Sequence, residues 1–501
     1  MVSFREYMDV VRRVNDEFRF YGSALSLCEI DQWSALPLEG GAYRQAMTAF
    51  LRRKQADLLR GDDAARAAKF FEGMPLSEIE DSLERGLVRG FLRQYRLATR
   101  VPEDLSRRFD LMRTDVMRGW LQAREAKDFR VFQPWMEKAF RLKGEMARAL
   151  APDVPVFDTL IDLTDEGLDS TTVARVFDVL KAGLLDLMDR IGRSKVSLRI
   201  EIQDHKEDPS AMARFGRQTA AALGYDRRQG HFSHDVVHGF SSSLGPRDAR
   251  VSTNLGGGLS MLFTCLHETG HSLYSTGGSD AVNAANLWGG IRGGFHEGNA
   301  RFYENVLGRS SAFWHWCLPR LREEFPFFAG FPENEFFGGV NAVRPSLRRM
   351  DADEVTYCLH VMVRFDLERE LFAGDLAFDD VPEAWNAGYE RLLGISPEND
   401  TEGVLQDMHW AGDFIGYFQS YALGCVYDGM FAEALERDVP DIWDHVAQGD
   451  FSPLNGWMKE HIWRFGRSLT SQEVLRSLGY ELDARPFLRY LVRKYSSLYE
   501  V

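Results

Sequence analysis

The segment LSMLFTCLHETGHSLYS, residues 259–275, carries His267 and His271 four positions apart. On a helix that spacing stacks both imidazoles on one face, roughly 6 Å apart, where both can reach one ion. Glu268 lies between them and is aimed beside that ion instead of onto it. This is the H-E-x-x-H arrangement, in which two neutral imidazoles ligate zinc and the carboxylate handles the protons of the water in the open position. With 12 His among 501 residues, chance would give the pattern in roughly one chain in fifty. A catalytic zinc takes a third protein ligand. Downstream, GGFHEGNARFYENVLGRS offers His296, Glu297 and Glu304, with Glu297 preferred.

The elements that must position these groups are legible as periodicities. The segment 259–275 is apolar around most of its circumference, as a helix buried on several sides must be. Phe4, Met8, Val11, Val14 and Phe18 repeat every three or four residues, and so do Leu105, Phe109, Met112, Val116 and Trp120. The chain ends the same way, with Leu488, Leu491, Val492, Tyr495 and Leu498 following a helix start at Pro486 and docking back as a closing helix. Candidate strands are few: VSLRIEI at 196–202, FSHDVVHGF at 232–240 and DARVSTNL at 248–255, the last two separated by a Ser/Gly/Pro turn. The expectation is a mostly α protein with a small sheet near the site. No repeat, low-complexity tract or long linker interrupts the chain, so residues 1–501 read as a single domain. The Phe-rich stretch at 323–339 reads as core or inter-subunit packing before it reads as a cleft lining.

Composition limits the possible functions. Hydrophobic residues at 45% and charged residues at 27% suit an ordinary globular core. The formal net charge of -15 disfavours phosphate backbones and anionic lipid surfaces, so neither nucleic acid nor a membrane is expected as partner. The first residues mix charge with apolar groups where a signal peptide needs a continuous apolar run, which points to the cytoplasm. Cys28, Cys265, Cys317, Cys358 and Cys425 are scattered singly, so buried thiols are expected instead of disulfides or a thiolate zinc site.

Beyond HETGH, ordered motifs run along nearly the whole chain: DQWSALP at 31–37, DARVST at 248–253, HEGNAR at 296–301, RRMDADEVTY at 348–357, GVLQDMHW at 403–410 and GYFQSYALG at 416–424. In this order they resemble the carboxypeptidase Taq family, the Thermus-type metallocarboxypeptidases, whose corresponding patterns are WDQxTxMP, D-x-R-x-x-T, H-E-S/G-Q, I-R-x-x-A-D and G-x-x-Q-D-x-H-W. The resemblance implies Glu297 as third ligand in a thermolysin-like two-His, one-Glu site. It also implies a helical body with a deep substrate groove, a homodimer, and peptides with a free C-terminus as substrates. It gives Arg349 the task of gripping the terminal carboxylate, for which a planar guanidinium is suited. Departures from the family pattern are Ile30 for Trp, His238-Gly239-Phe240 for H-P-F, Asn299 for Gln and Arg348 for Ile. None removes a metal ligand or the base, whereas substrate preference is open to change.

In the mechanism these residues imply, Glu268 accepts a proton from the water and returns it to the leaving amine. Tyr421 is the expected donor to the developing oxyanion, with Tyr417 and His409 as alternates. Tyr417 and His238 are expected along the substrate groove, and Asp248 and Arg250 as a salt bridge supporting the site from behind. His360 reads as a core histidine. The cofactor expected is Zn2+, with Co2+ as a substitute. Two other readings remain: an H-E-x-x-H oligopeptidase or dipeptidase, and a catalytically silent metal-binding protein.

Overall fold

The computed structural model describes residues 4–233, 240–253, 256–412 and 414–501. Helices dominate, as the periodicities require. The first runs from Phe4 to Ser34 and buries Met8, Val11 and Val14. With the helices Gly41–Arg60, Asp62–Glu72 and Ser82–Arg100 it encloses its own apolar cluster. Val282 of the helix Asp280–Ala284 joins that cluster, and most of the remaining helices share one large core that extends from Val101 to Tyr499. The last helix, Arg485–Tyr499, docks against the helix Phe418–Asp438 and buries Tyr490, Leu491 and Tyr495. Among the described residues no helix is long and apolar enough to cross a membrane.

Three short strands form the sheet: β1 (Gly230–Ser233), β2 (Phe240–Gly245) and β3 (Asp248–Ser252), in the order β1-β3-β2. β3 pairs parallel to β1 and antiparallel to β2, and packs on the helix that carries the two histidines. Two expectations need correction. Ser241, Ser242 and Ser243, read as part of a turn, belong to β2, because β3 offers their backbone a partner. The run 196–202 is no strand. Val196 and Leu198 do turn inward in alternation, but no neighbour supplies the ladder, and a helical turn starts at Glu201. Within the Phe-rich stretch, Phe325, Phe328 and Phe336 lie in the core. Cys265, Cys317, Cys358 and Cys425 are buried free thiols and Cys28 is half-buried.

Candidate active site

Three helices carry most of the site. The His helix is Leu259–Thr276, the Glu helix is Gly294–Arg301, and the Tyr helix is Phe418–Asp438. The Glu helix lies between the other two, and both crossings are tight. A Cβ on Gly270 would lie 2.7 Å from the Asn299 carbonyl, and one on Gly424 would lie 2.6 Å from Glu297 Cγ. Only glycine permits these approaches, and they bring Glu297 up to the two histidines.

There the Nε2 atoms converge on one carboxylate: His267 Nε2 is 3.9 Å from Glu297 Oε1 and His271 Nε2 is 3.7 Å from Glu297 Oε2. One ligand atom from each of the three lies within 4.8 Å of the others. The outward nitrogens are held separately. His267 Nδ1 is 2.8 Å from Glu304 Oε2, and His271 Nδ1 shares a 2.7 Å hydrogen bond with His296 Nδ1. The three ligand candidates of the sequence thus take different places, Glu297 facing the site while His296 and Glu304 each fix one imidazole from behind. Two inward imidazole nitrogens, a carboxylate and engaged outer nitrogens form a donor set suited to a divalent cation. Glu304 falls in a π-helical turn, Phe302–Leu307, that extends the Glu helix, and Arg301 lies 3.4 Å from it. Glu268 is buried beside this cluster. Its Oε2 has no hydrogen-bond partner among the described residues, and burial raises its carboxyl to about 7.

A second cluster completes the site. Arg349 donates from Nη1 to Tyr357 Oη at 3.0 Å and from Nη2 to Asp407 Oδ1 at 3.1 Å, and stands 4.6 Å from the centre of the Tyr421 ring. Arg364 donates from Nε to the other Asp407 oxygen at 2.6 Å. Burial alone would raise the Asp407 carboxyl, but Arg364 and Arg349 outweigh it and hold the group well below the carboxylate range. His409 Nε2 is 2.9 Å from Tyr421 Oη, and burial lowers its pKa to about 3, leaving it neutral. Tyr417 lies 5.3 Å from Tyr421, ring to ring, and remains half-open to solvent.

The chain belongs to the carboxypeptidase Taq (M32) metallopeptidase family. That family matches residues 11–495. The chain is similar to thermostable carboxypeptidase 1 of Thermus thermophilus, 34% identical over 507 residues that span 96% of this chain and 97% of that one. It is also similar to thermostable carboxypeptidase 1 of Pyrococcus furiosus, 31% identical over 95% of each chain. Among solved structures, the M32 carboxypeptidase of Deinococcus radiodurans superposes with a TM-score of 0.91 at 33% identity, covering 99% of both chains. As an M32 member the protein is a metallocarboxypeptidase, a peptide hydrolase, and the family implies a divalent metal.

The remaining sequence-predicted residues fall as follows. Asp248 and Arg250 bind each other on β3, one contact at 2.9 Å, and both are about one-third exposed. His238 lies outside the described residues. Asn299 is buried away from the ligand atoms, bonded to the Phe295 carbonyl and Trp463, while Arg348 points to solvent beside Asp351. His360 is a core residue bonded to Tyr389. Sequence reasoning missed three groups. Asp407 is the shared partner of two arginines. Arg364 is a fully buried charge that follows the apolar run Val361–Val363, and that misfit was its signal. Asp165 is fully enclosed and accepts from Gly294 N at 2.6 Å and from Ser420 Oγ at 2.6 Å, tying the Glu and Tyr helices together. Nothing local to Asp165 in the sequence marks that role.

Proposed function

We propose that this M32 enzyme is a zinc-dependent carboxypeptidase that releases single residues from peptides with a free C-terminus, with His267, His271 and Glu297 holding the metal and Glu268 as general base. The observation that carries the reading is the convergence of the two Nε2 atoms and the Glu297 carboxylate beside the unpartnered Glu268 Oε2. Bound there, Zn2+, or Co2+ in its place, supplies Lewis acidity that lowers a water's pKa from about 15.7 to near 7 and stabilises charge on the scissile carbonyl.

The chain's own groups supply the proton traffic. Glu268 Oε2 takes a proton from the attacking water and delivers it to the departing amine. Its raised pKa fits a group that must both gain and lose a proton near neutrality. Tyr421 Oη donates to the developing oxyanion. His409 Nε2 shares a 2.9 Å hydrogen bond with Tyr421 Oη and so fixes where the phenol points. Tyr417 is the alternate donor and lines the substrate groove with His238. Arg349 grips the terminal carboxylate: Arg349 and Arg364 share one carboxylate, so one positive charge is left over, and Arg349 Nε has no partner among the described residues. Asp248 and Arg250 stiffen β3 against the His helix. A groove is supported by the half-open state of His267, His271, Tyr417 and Tyr421 within densely packed surroundings. The lack of a repeat or long linker along the chain supports one catalytic unit over residues 1–501, and the family resemblance supports a homodimer, which light scattering tests.

The deciding measurement is mass spectrometry of products from one peptide and its C-terminally amidated twin. It compares metal-loaded protein, chelated protein and Glu268→Gln. A ladder of single-residue losses is expected from the free peptide alone, with the rate in Glu268→Gln down by about 10²–10⁴-fold. Internal cuts in both peptides would replace this reading with an oligopeptidase.

A further inference from the structure

Three arginines near the ligand helices lack the carboxylate partner that Arg89 and Arg93 have. Arg93 lies 2.8 Å from Asp162, and Arg89 lies 3.4 Å from Glu166 and 3.6 Å from Glu473. Arg19, Arg292 and Arg467 have no carboxylate within ion-pair distance among the described residues. They converge on the loop 288–293, which leads directly into the Glu helix. Arg19 lies over the Trp288 ring at 3.6 Å and donates from Nη2 to the Trp288 carbonyl at 3.0 Å. Arg467 donates from Nε to the Gly290 carbonyl at 3.0 Å. A Cβ built on Gly289 would sit 3.3 Å from Arg467 Nη2 and 3.6 Å from Arg19 Nη2, so two guanidinium groups flank one bare Cα. Arg19 Nε is buried with no acceptor.

The three also act on one another. Burial and the neighbouring arginines lower the proton affinity of each: Arg19 falls to about 9 through burial and Arg292, and Arg467 is lowered by burial, Arg19 and Arg292. Arg292 is lowered mainly by burial although its side chain stays open to solvent. The cluster adjoins the metal site. Tyr274 accepts from Ile291 N at 2.8 Å and its ring is 4.9 Å from His296, the partner of His271. Uncompensated like charges oppose folding, and a fold that keeps three together beside its site holds a place for an anion.

We infer that Arg19, Arg292 and Arg467 form a pocket for a carboxylate of the bound peptide, distinct from the Arg349 cluster. The chemistry, a carboxylate gripped by planar guanidinium groups, admits two sources: an Asp or Glu side chain of the substrate, or its terminal carboxylate. The inference rests on the carboxypeptidase reading above for the identity of the ligand, but the pocket's affinity for a carboxylate does not.

The test has two parts. In the first, kcat/KM is measured for matched free-C-terminus peptides that differ only by Glu or Gln near the C-terminus, with native protein, Arg292→Gln and Arg19→Gln. The native enzyme is expected to favour the Glu peptide by about tenfold, and both variants to lose that ratio. If the native ratio is one and both variants raise KM for every free peptide, the terminal carboxylate is the ligand. In the second, glutarate is titrated against the full chain while Tm is followed. It should raise the Tm of the native protein and not of Arg292→Gln, whose own Tm without glutarate should exceed that of native protein because repulsion is relieved. Unchanged peptide ratios and KM values, together with identical glutarate responses in native and variant proteins, overturn the pocket. If no peptide is cleaved but the glutarate difference persists, the carboxypeptidase reading fails and the pocket stands.

Discussion

The two halves of the site are built by different means. Its metal-ligand half comes from two helices close in sequence, where the His267–His271 spacing does the first part of the alignment and Glu297 follows after one loop. The other half gathers Arg349, Arg364, Asp407, His409 and Tyr421, which lie on four separate segments and meet only through Asp407 and the stacked rings around it. In the first half each histidine has a dedicated partner behind it. In the second, two buried cations share one anion, so a single carboxylate keeps two arginines in place. The lesson is that the first half should fail locally and by degrees, whereas the second should fail as a unit.

The largest expected effect therefore falls on Asp407. Asp407→Asn leaves two buried guanidinium groups without a counter-charge and should cost about 3–5 kcal/mol of stability, read by chemical denaturation. Affinity for Zn2+ should stay within about threefold, since the ligand half is not touched. A large loss of Zn2+ affinity would erase the distinction between the halves.

Glu368 sharpens the same contrast through pH. It accepts from Trp410 Nε1 at 2.8 Å and from Gly416 N at 3.1 Å, pinning the segment that carries His409, and burial pushes its carboxyl up to about 8. A carboxyl whose folded pKa is raised stabilises the fold fully below its unfolded value near 4.5, and that contribution is lost as pH rises through 8. The stability advantage of native protein over Glu368→Gln should fall by at most roughly 1.4 kcal/mol per pH unit between about 4.5 and 8. A difference that stays flat over that range would mean the carboxyl titrates normally.

On the metal side the expected losses are smaller and confined. Glu304→Gln removes the carboxylate behind His267 and should weaken Zn2+ binding by about 10–100-fold, measured by chelator competition, with little change in denaturation midpoint. Smallest of all is Asp248→Asn. The Asp248–Arg250 pair is open enough to solvent for screening to discount it, so the loss should be under about 1 kcal/mol in thermal unfolding. A greater loss would give β3 a larger part in holding the His helix than its contacts indicate.

The ligand half is legible in the sequence because helix geometry is local. His267, Glu268 and His271 need only a buried helix to take their places, and the spacing of the apolar residues in 259–275 supplies it. Glu297 is separable from His296 and Glu304 only by family resemblance, since residues 296–304 span little more than two helical turns and all three can come near the histidines. Strand reading fails at 196–202 for the complementary reason. Alternation records which side chains face inward, but a strand also needs a second chain segment to bond with.

The sequence by itself determined the helical character, the chemistry of the H-E-x-x-H face and the family, because these follow from 3.6-residue periodicity and from motifs read in order. Tertiary structure alone decided that His296 and Glu304 stand behind the histidines, that Asp407 joins Arg349 to Arg364, that Asp165 ties the Glu helix to the Tyr helix, and that Arg19 and Arg467 flank Gly289 with no carboxylate in ion-pair distance among the described residues. Backbone hydrogen bonding fixes neighbours three and four residues apart. Which charges from distant segments meet is set by how the buried faces pack, and the proton affinities of those charges follow from the meeting.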